Sequence, residues 1–450
     1  MIQKIYKRSL PYKIVRLYVS IAHKLFYKKI VVKGLENIPL NFPVILAPNH
    51  QNAFMDALII ACTVPGQIVF MARADIFQNK WLARILRFFK IMPVYRIRDG
   101  FENLEKNKAI FDEAIEVLAN RKILCLMPEG THGGEHKLKP LVKGVFRIAM
   151  SATKKFPECR PVMVPVGIEY SNYTSFRSQI VIQFGKPINI ADYSENYLSK
   201  PAETINDLRN NLSIEIQKLM LNINCGDLYE NVDYLRQLYR PYAMHKLGYD
   251  NQNPWFVYLA DKWFTEICNK QYKVNSTVLY SLTDEVKMLR YELDIFQLHT
   301  ETLTKQSKGI MVLFLEGMLF FILFPLFAVG YITNIGLIRF PRIFNMKIED
   351  KQFHSSIKLI VVTLLFPFYY GILCYIISIL CHNIFIQLPV LIGLAFLGEF
   401  SFRYYIKFSD FKQMLKLNIY KKKLISIYSL QKSIIEKIDR ICNCPASKIY

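Results

Sequence analysis

Acidic residues are scarce in this chain. Thirty-six aspartates and glutamates stand against 58 lysines and arginines, a net charge of +22 over 450 residues. That imbalance calls for a polyanionic partner, nucleic acid or an anionic membrane surface, and an apolar content of 52% favours the membrane over nucleic acid. Cysteine is sparse and unpatterned: there are nine, and Cys442-Asn443-Cys444 has no matching second pair. This excludes a readable disulfide framework or zinc site and leaves a reduced, cytosol-facing compartment as the expectation. A secretory signal is also missing, because Lys4, Lys7, Arg8, Lys13, Arg16 and Lys24 interrupt every early apolar stretch. No internal repeat or low-complexity segment occurs, which excludes a repeat array.

Charge itself is nearly absent from two stretches. Gly309 to Ile338 carries only Glu316, and Leu359 to Gly398 carries none. Each is long enough to enter a bilayer. Lys305 and Lys308 precede the first, Arg339, Arg342, Lys347 and Lys351 lie between the two, and Arg403 and Lys407 follow the second. Basic flanks on every side favour the cytosol. Two hairpins are therefore expected: Pro325 breaking the first stretch into re-entrant or interfacial half-helices, and His382-Asn383 forming the turn of the second.

A chain of this length exceeds one compact core. At residues 1–29, Ile14, Val15, Tyr18, Ile21, Ala22 and Leu25 recur at helical spacing opposite Lys13, Arg16, Ser20 and Lys24, as in a helix lying in a membrane interface with its lysines toward lipid phosphates. The alternative is a helix packed on the first domain. From about residue 30 to 200, β-branched runs (30–32, 44–47, 68–71, 91–95, 123–127, 162–166, 180–184) alternate with helical patterns (53–62, 81–88, 104–118, 145–152). The expected fold is an α/β sheet sandwiched by helices. Residues 201–308 are polar and helical, with Leu208, Leu212, Ile216 and Leu219 on one face, and read as a helical extension. The membrane-embedded segments occupy 309–400 and a basic amphipathic tail 401–450.

Two strand exits carry the chemistry. After Val44-Ile45-Leu46-Ala47 comes Asn49-His50-Gln51-Asn52-Ala53-Phe54-Met55-Asp56. His50 and Asp56, six apart, cannot share a helix face, so they must straddle a helix start, with His50 folding back from the loop. A carboxylate there can hold the Nδ1 proton and leave Nε2 as a general base. After Ile123-Leu124-Cys125-Leu126 comes Met127-Pro128-Glu129-Gly130-Thr131-His132, then Lys137, Lys139 and Lys143 before Gly144 opens a helix. Exposed amides, a helix N-terminus and lysines suit a phosphate. A third exit, Pro93-Val94-Tyr95-Arg96-Ile97-Arg98, offers two arginines for bidentate contact.

Taken in order, Asn49-His50 with Asp56, Pro93-Val94-Tyr95-Arg96, Pro128-Glu129-Gly130-Thr131 and Val164-Pro165-Val166 resemble the four blocks of the phospholipid/glycerol acyltransferase family, the glycerol-3-phosphate and 1-acylglycerol-3-phosphate acyltransferases. Ile182-Gln183-Phe184-Gly185-Lys186-Pro187 looks like that family's next strand and turn. The resemblance covers residues 30–190. Two departures stand out: five residues separate His50 from Asp56 where most of the family has four, a spacing that resembles fungal-type glycerol-3-phosphate acyltransferases, and His132 stands where an arginine is usual.

The resemblance implies transfer of a fatty acyl group from acyl-CoA or acyl carrier protein to a hydroxyl of a glycerol phosphate acceptor beside anionic membrane lipid, without cofactor or metal. His50 and Asp56 would be catalytic. Asn49, Arg96, Arg98, Glu129, Gly130, Thr131, His132 and Lys143 would bind substrate, Glu129 and Gly130 shaping the acceptor pocket and Arg96 and Lys143 holding its phosphate. An oxyanion donor is expected from a backbone N–H near His50. The competing readings are a lysophospholipid-remodelling acyltransferase and a non-enzymatic membrane scaffold, for which the His50 and Asp56 pair would have no use.

Overall fold

The protein is described by a computed structural model covering residues 4–7, 9–95, 106–156, 158, 160–250, 252–303 and 308–443. The chain divides into two compact units, Met1–Asn222 with Asp350–Leu359, and Ile223–Glu349 with Ile360–Tyr450.

Among the described residues the first unit is built on eight strands: β1 (Lys29–Lys33), β2 (Val44–Pro48), β3 (Ile68–Arg73), β4 (Ile91–Val94), β5 (Ile123–Cys125), β6 (Val162–Tyr170), β7 (Gln179–Phe184) and β8 (Ile188–Asn189). They form one sheet in the order β1-β7-β6-β2-β5-β3-β4, with β8 on β6. Strands β2 to β6 are mutually parallel, while β7 and β8 run antiparallel to β6 and β1 follows β7. Its helices are α1 (Leu10–Phe26), α2 (Ala53–Thr63), α3 (Lys80–Phe88), α4 (Lys106–Ala119), α5 (Gly144–Lys155), α6 (Ser194–Ser199) and α7 (Pro201–Leu219).

All five residues of β2 are buried, because side chains that alternate across the sheet meet a helix layer on either face. Ile45 and Ala47 enter a core with Leu118 of α4 and Phe146 of α5, while Val44 and Leu46 enter another with Met55 and Ile59 of α2. The α/β sandwich expected from the alternating pattern is thus the observed fold. Strand β8, only two residues long, left no periodic trace in the sequence.

Two boundaries differ from the sequence reading. Helix α7 belongs to the first unit instead of a separate extension: Leu208, Leu212 and Ile216 are fully buried in the same core as Phe146. A Cβ on Gly167 of β6 would lie 2.0 Å from the Leu219 carbonyl oxygen, so only glycine allows α7 to end that close to the sheet. The second addition, Asp350–Leu359, comes from far along the chain, and its Leu359 is buried in the core that holds Leu46.

On α1, Leu10, Ile14, Leu17, Tyr18, Ile21 and Leu25 form an exposed apolar stripe, while Tyr12, His23 and Phe26 are buried. Arg16, read in the sequence as part of the lipid-facing basic side, instead donates to the carbonyls of Ala61, Val64 and Gly66 and so fastens α1 to the end of α2.

The second unit holds α8 (Tyr229–Lys246), α9 (Pro254–Val274), α10 (Thr277–Phe296), α11 (Thr300–Leu303), α12 (Ile310–Asn345), most of α13 (Phe353–Leu380), α14 (Ile384–Ile419) and α15 (Ile425–Asn443). Leu235, Tyr239, Phe264, Leu289, Ile434 and Ile438 share its core, so the basic tail is partly a packed helix. Helices α12, α13 and α14 are each long and apolar enough to cross a membrane, and almost none of that apolar surface is buried.

The hairpin expected of the first apolar stretch is not there: α12 runs unbroken through Pro325. Helix α14 packs on this stretch from both sides of the proline: the Tyr404 hydroxyl donates to the Phe320 carbonyl and Ser401 Oγ to the Phe327 carbonyl. Close approach is possible at Gly330, where a Cβ would sit 2.2 Å from the Leu397 carbonyl oxygen. The turn expected at His382-Asn383 does separate α13 from α14.

Candidate active site

Because β2, β5 and β6 are adjacent and parallel, the loops that follow them leave the sheet by one edge, the edge where open α/β sheets hold their ligands. The loop after β2 is short. Asn49 continues the ladder with its side chain: its amide NH2 donates to the Ile168 carbonyl at 3.1 Å and its carbonyl oxygen accepts the Ile168 N–H at 2.7 Å. Buried and doubly paired to β6, Asn49 fixes where the next residue emerges.

That residue is His50. Its Nδ1 lies 2.8 Å from Asp56 Oδ2, so the loop histidine does fold back onto the first turn of α2. The same oxygen accepts the N–H groups of Gln51 and Asn52, each at 2.8 Å, and Oδ1 accepts the Tyr170 hydroxyl at 2.8 Å. Asp56 is fully buried; four donors meet its charge, and the helix N-terminus adds its dipole. The chain reaches this arrangement through Ala53, whose φ of +39° is left-handed and strained for a residue with a Cβ. His50 Nε2 has no partner among the described residues. With Nδ1–H held on a carboxylate, that nitrogen carries the ring's lone pair and can accept a proton.

The loop after β5 folds over this one. Glu129 Oε1 accepts the His50 N–H at 2.6 Å and Oε2 accepts the Lys139 N–H at 2.8 Å. Glu129 is buried and spans the two loops with both oxygens committed to backbone. Burial raises its carboxyl to about 7, against the lowering effect of those two amides. Gly130, at φ +67°, makes the turn, and a Cβ there would press on Val142 at 3.2 Å. The Gly133 N–H then reaches the His50 carbonyl at 3.1 Å. Between them stand half-buried Thr131 and His132, whose ring meets that of His50 edge-on at 5.6 Å.

His50, Asp56, Glu129 and His132 are thus brought together. Lys143 is exposed at the start of α5, next to Val142, whose N–H donates to the Pro128 carbonyl. Arg96 and Arg98 lie outside the described residues. The amides expected to supply an oxyanion donor nearest His50 are taken, those of His50, Gln51 and Asn52 going to Glu129 and Asp56. The amides of Thr131 and His132 have no acceptor among the described residues. No group of three or more His, Cys, Asp or Glu is placed to hold a metal among the described residues.

Several residues at the site had no motif to mark them. Tyr173 donates its hydroxyl to Gln51 Oε1 at 3.1 Å, and its carbonyl accepts from Asn52 at 3.2 Å. His136 Nδ1 pairs with buried Glu169 Oε2 at 3.0 Å, and Glu169 Oε1 accepts the Leu221 N–H. Tyr170 is the last residue of β6, a buried polar end on an apolar strand, and only that contrast could have drawn attention to it.

Residues 29–169 match the family model Acyltransferase. Over 148 residues the chain is 26% identical to glycerol-3-phosphate O-acyltransferase 2 of Saccharomyces cerevisiae, covering 33% of this chain and 19% of the yeast protein. Glycerol-3-phosphate O-acyltransferase 1 of the same organism is 30% identical over 146 residues, 31% of this chain and again 19% of the relative. The chain therefore spans about a fifth of those two proteins. A 1-acyl-sn-glycerol-3-phosphate acyltransferase of Bacillus subtilis is 26% identical over 196 residues, 42% of this chain and 90% of the relative. Residues 29–169 are an Acyltransferase domain.

Proposed function

We propose that this chain moves a fatty acyl group from a thioester, acyl-CoA or acyl carrier protein, to a hydroxyl of glycerol-3-phosphate or 1-acylglycerol-3-phosphate. The observation that carries this reading is the His50 Nδ1 to Asp56 Oδ2 contact of 2.8 Å with Nε2 unpartnered among the described residues. His50 Nε2 takes the hydroxyl proton as the oxygen attacks the thioester carbonyl, and Asp56 supports the imidazolium that forms. Collapse of the tetrahedral intermediate expels the thiolate, which takes the proton from Nε2. The unengaged amides of Thr131 and His132 are the candidate donors to the oxyanion. Lys143 at the start of α5, with Arg96 and Arg98, supplies positive charge for the acceptor's phosphate.

The names of the yeast and Bacillus relatives support both acceptors, and the five-residue spacing between His50 and Asp56 favours glycerol-3-phosphate. The three long apolar helices and the exposed stripe of α1 support an integral membrane protein, and the basic flanks of the apolar stretches favour a catalytic domain on the cytosolic side, beside anionic lipid and the soluble acyl donor. The test is an assay of the purified full chain with labelled acyl thioesters and a panel of glycerol phosphate and lysolipid acceptors. His50→Ala is expected to lose about 10²–10⁴ in rate. Turnover near wild type in that variant would remove the mechanism.

A further inference from the structure

Asp350–Leu359 joins the catalytic unit from 218 positions beyond the loop it touches, and the segment is held at successive points. Asp350 Oδ2 lies 2.7 Å from His132 Nε2, and Asp350 Oδ1 accepts the Gln352 N–H at 3.0 Å, so both carboxylate oxygens are fixed. The Phe353 ring meets the His132 ring edge-on at 5.0 Å. Ser355 Oγ donates to Asn52 Oδ1 at 2.9 Å, both residues being buried, and Lys358 Nζ donates to the Thr174 carbonyl at 2.7 Å. Every anchor falls on a loop at the site's edge of the sheet.

His132 is therefore not a loose loop histidine. Its imidazole meets the rings of both His50 and Phe353 edge-on, with Nε2 engaged and Nδ1 without a partner among the described residues. An exposed ion pair of this kind would contribute little by itself, but here it sets the direction and charge of a ring beside the catalytic base. We propose that Asp350 is a positioning residue: it holds His132 by Nε2 and supports its imidazolium form, so that Nδ1–H is presented to the phosphate of the acceptor. This rests on the acyl-transfer reading above and names the group that takes the arginine's place in that loop.

The charges facing His132 are consistent with that role. Asp350 comes from the segment, where His354 acts on it in turn, His50 from the loop after β2, and Lys139 from the loop of His132 itself, its Nζ donating to the His132 carbonyl. Burial alone would raise the Asp350 carboxyl, yet the bonds to His132 and to the Gln352 amide keep it below its ordinary value.

The test is steady-state kinetics of the full chain from pH 5.5 to 8.5 with glycerol-3-phosphate and acyl-CoA varied in turn. Wild type should show an acceptor KM that climbs with pH, with the donor KM steady. Asp350→Asn keeps the shape and an accepting oxygen but not the charge. It should move that climb to lower pH and raise acceptor KM on the order of tenfold near neutrality, with Asp350→Glu restoring most of the loss. Lys358→Met loosens the segment's far anchor without touching His132 and should leave the pH profile in place. An unchanged profile in Asp350→Asn, or the same shift in Lys358→Met, would overturn the assignment. Failure of the wild-type chain to acylate any glycerol phosphate would instead remove the activity on which it rests.

Discussion

The Tyr170 hydroxyl donates to Asp56 Oδ1 at 2.8 Å in the buried floor of the site, across 114 residues of sequence. It is the only side-chain donor to that oxygen among the described residues, the other three bonds converging on Oδ2. Tyr170→Phe should keep the ring packing and orphan one carboxylate oxygen, lowering kcat by a factor of about ten while KM values hold, for a bond in the range of about 1–3 kcal/mol. Asp56→Asn should also fold, since its NH2 can turn to the tyrosine hydroxyl, which accepts as well as donates. It loses the charge that supports imidazolium, and its kcat should fall by about 10² or more. Equal kcat in Tyr170→Phe and wild type would mean that Asp56 is held well enough without the tyrosine.

Glu129 yields a second prediction. Glutamine in its place keeps one accepting oxygen and turns an NH2 toward the other backbone N–H, so the bond to His50 or to Lys139 is lost. Leaving a buried donor unpaired costs about 1–3 kcal/mol. Glu129→Gln should therefore lower the melting temperature in detergent and raise the KM for both substrates, because it frees two loops together. A variant impaired only toward the acceptor would show that Glu129 touches substrate directly.

The parts of this site that local chemistry determines were legible. β-branched runs mark β2 and β5, and a six-residue offset that cannot share a helix face places His50 and Asp56 across a helix start. Other parts depend on partners distant in sequence. Nothing within Pro128-Glu129-Gly130 says that the carboxylate will staple residues 50 and 139, and nothing near Asp350 points to His132. Leu208, Leu212 and Ile216 form the same stripe whether α7 packs on this sheet or on the helices after it. Pro325 removes one N–H and so suggests a break, but the helix continues through it, packed against Tyr404 and Ser401 of α14, a neighbour far along the chain that nothing in the local sequence announces.

Buried titration supplies a third prediction. His23 on α1 is fully buried with neither ring nitrogen hydrogen-bonded among the described residues, and burial lowers it from 6.5 to about 4. Between those values the unfolded chain takes up a proton that the folded chain refuses, so stability falls as pH drops through the window, by up to about 3 kcal/mol. Glu129 acts in the opposite sense. Raised from 4.5 to about 7, it binds its proton more readily when folded, and stability falls as pH rises between those values. The two contributions offset each other in the wild type. His23→Leu should then melt at higher temperature as pH is lowered from 7 to 5, and Glu129→Gln should show the reverse slope. Parallel slopes in the two variants would contradict both assignments.

The last prediction concerns the far side of the membrane. The first turns of α13 belong to the catalytic unit, so under the proposed orientation α13 starts at the cytosolic face. From there it runs to Leu380, and α14 begins at Ile384 after a turn of three residues, Cys381, His382 and Asn383. Spanning the hydrocarbon takes about 20 residues, and α13 has 28. The uncharged turn should therefore emerge on the non-cytosolic face, carrying a native reporter in half-buried Cys381. In a chain whose other cysteines are replaced by serine or alanine, a membrane-impermeant maleimide should modify Cys381 only from the non-cytosolic side of sealed vesicles. A cysteine introduced at exposed Lys351 should react only from the cytosolic side. Labelling of both positions from one side would mean that α13 does not cross, and the membrane reading of α13 and α14 would have to be replaced by one in which they lie along its surface.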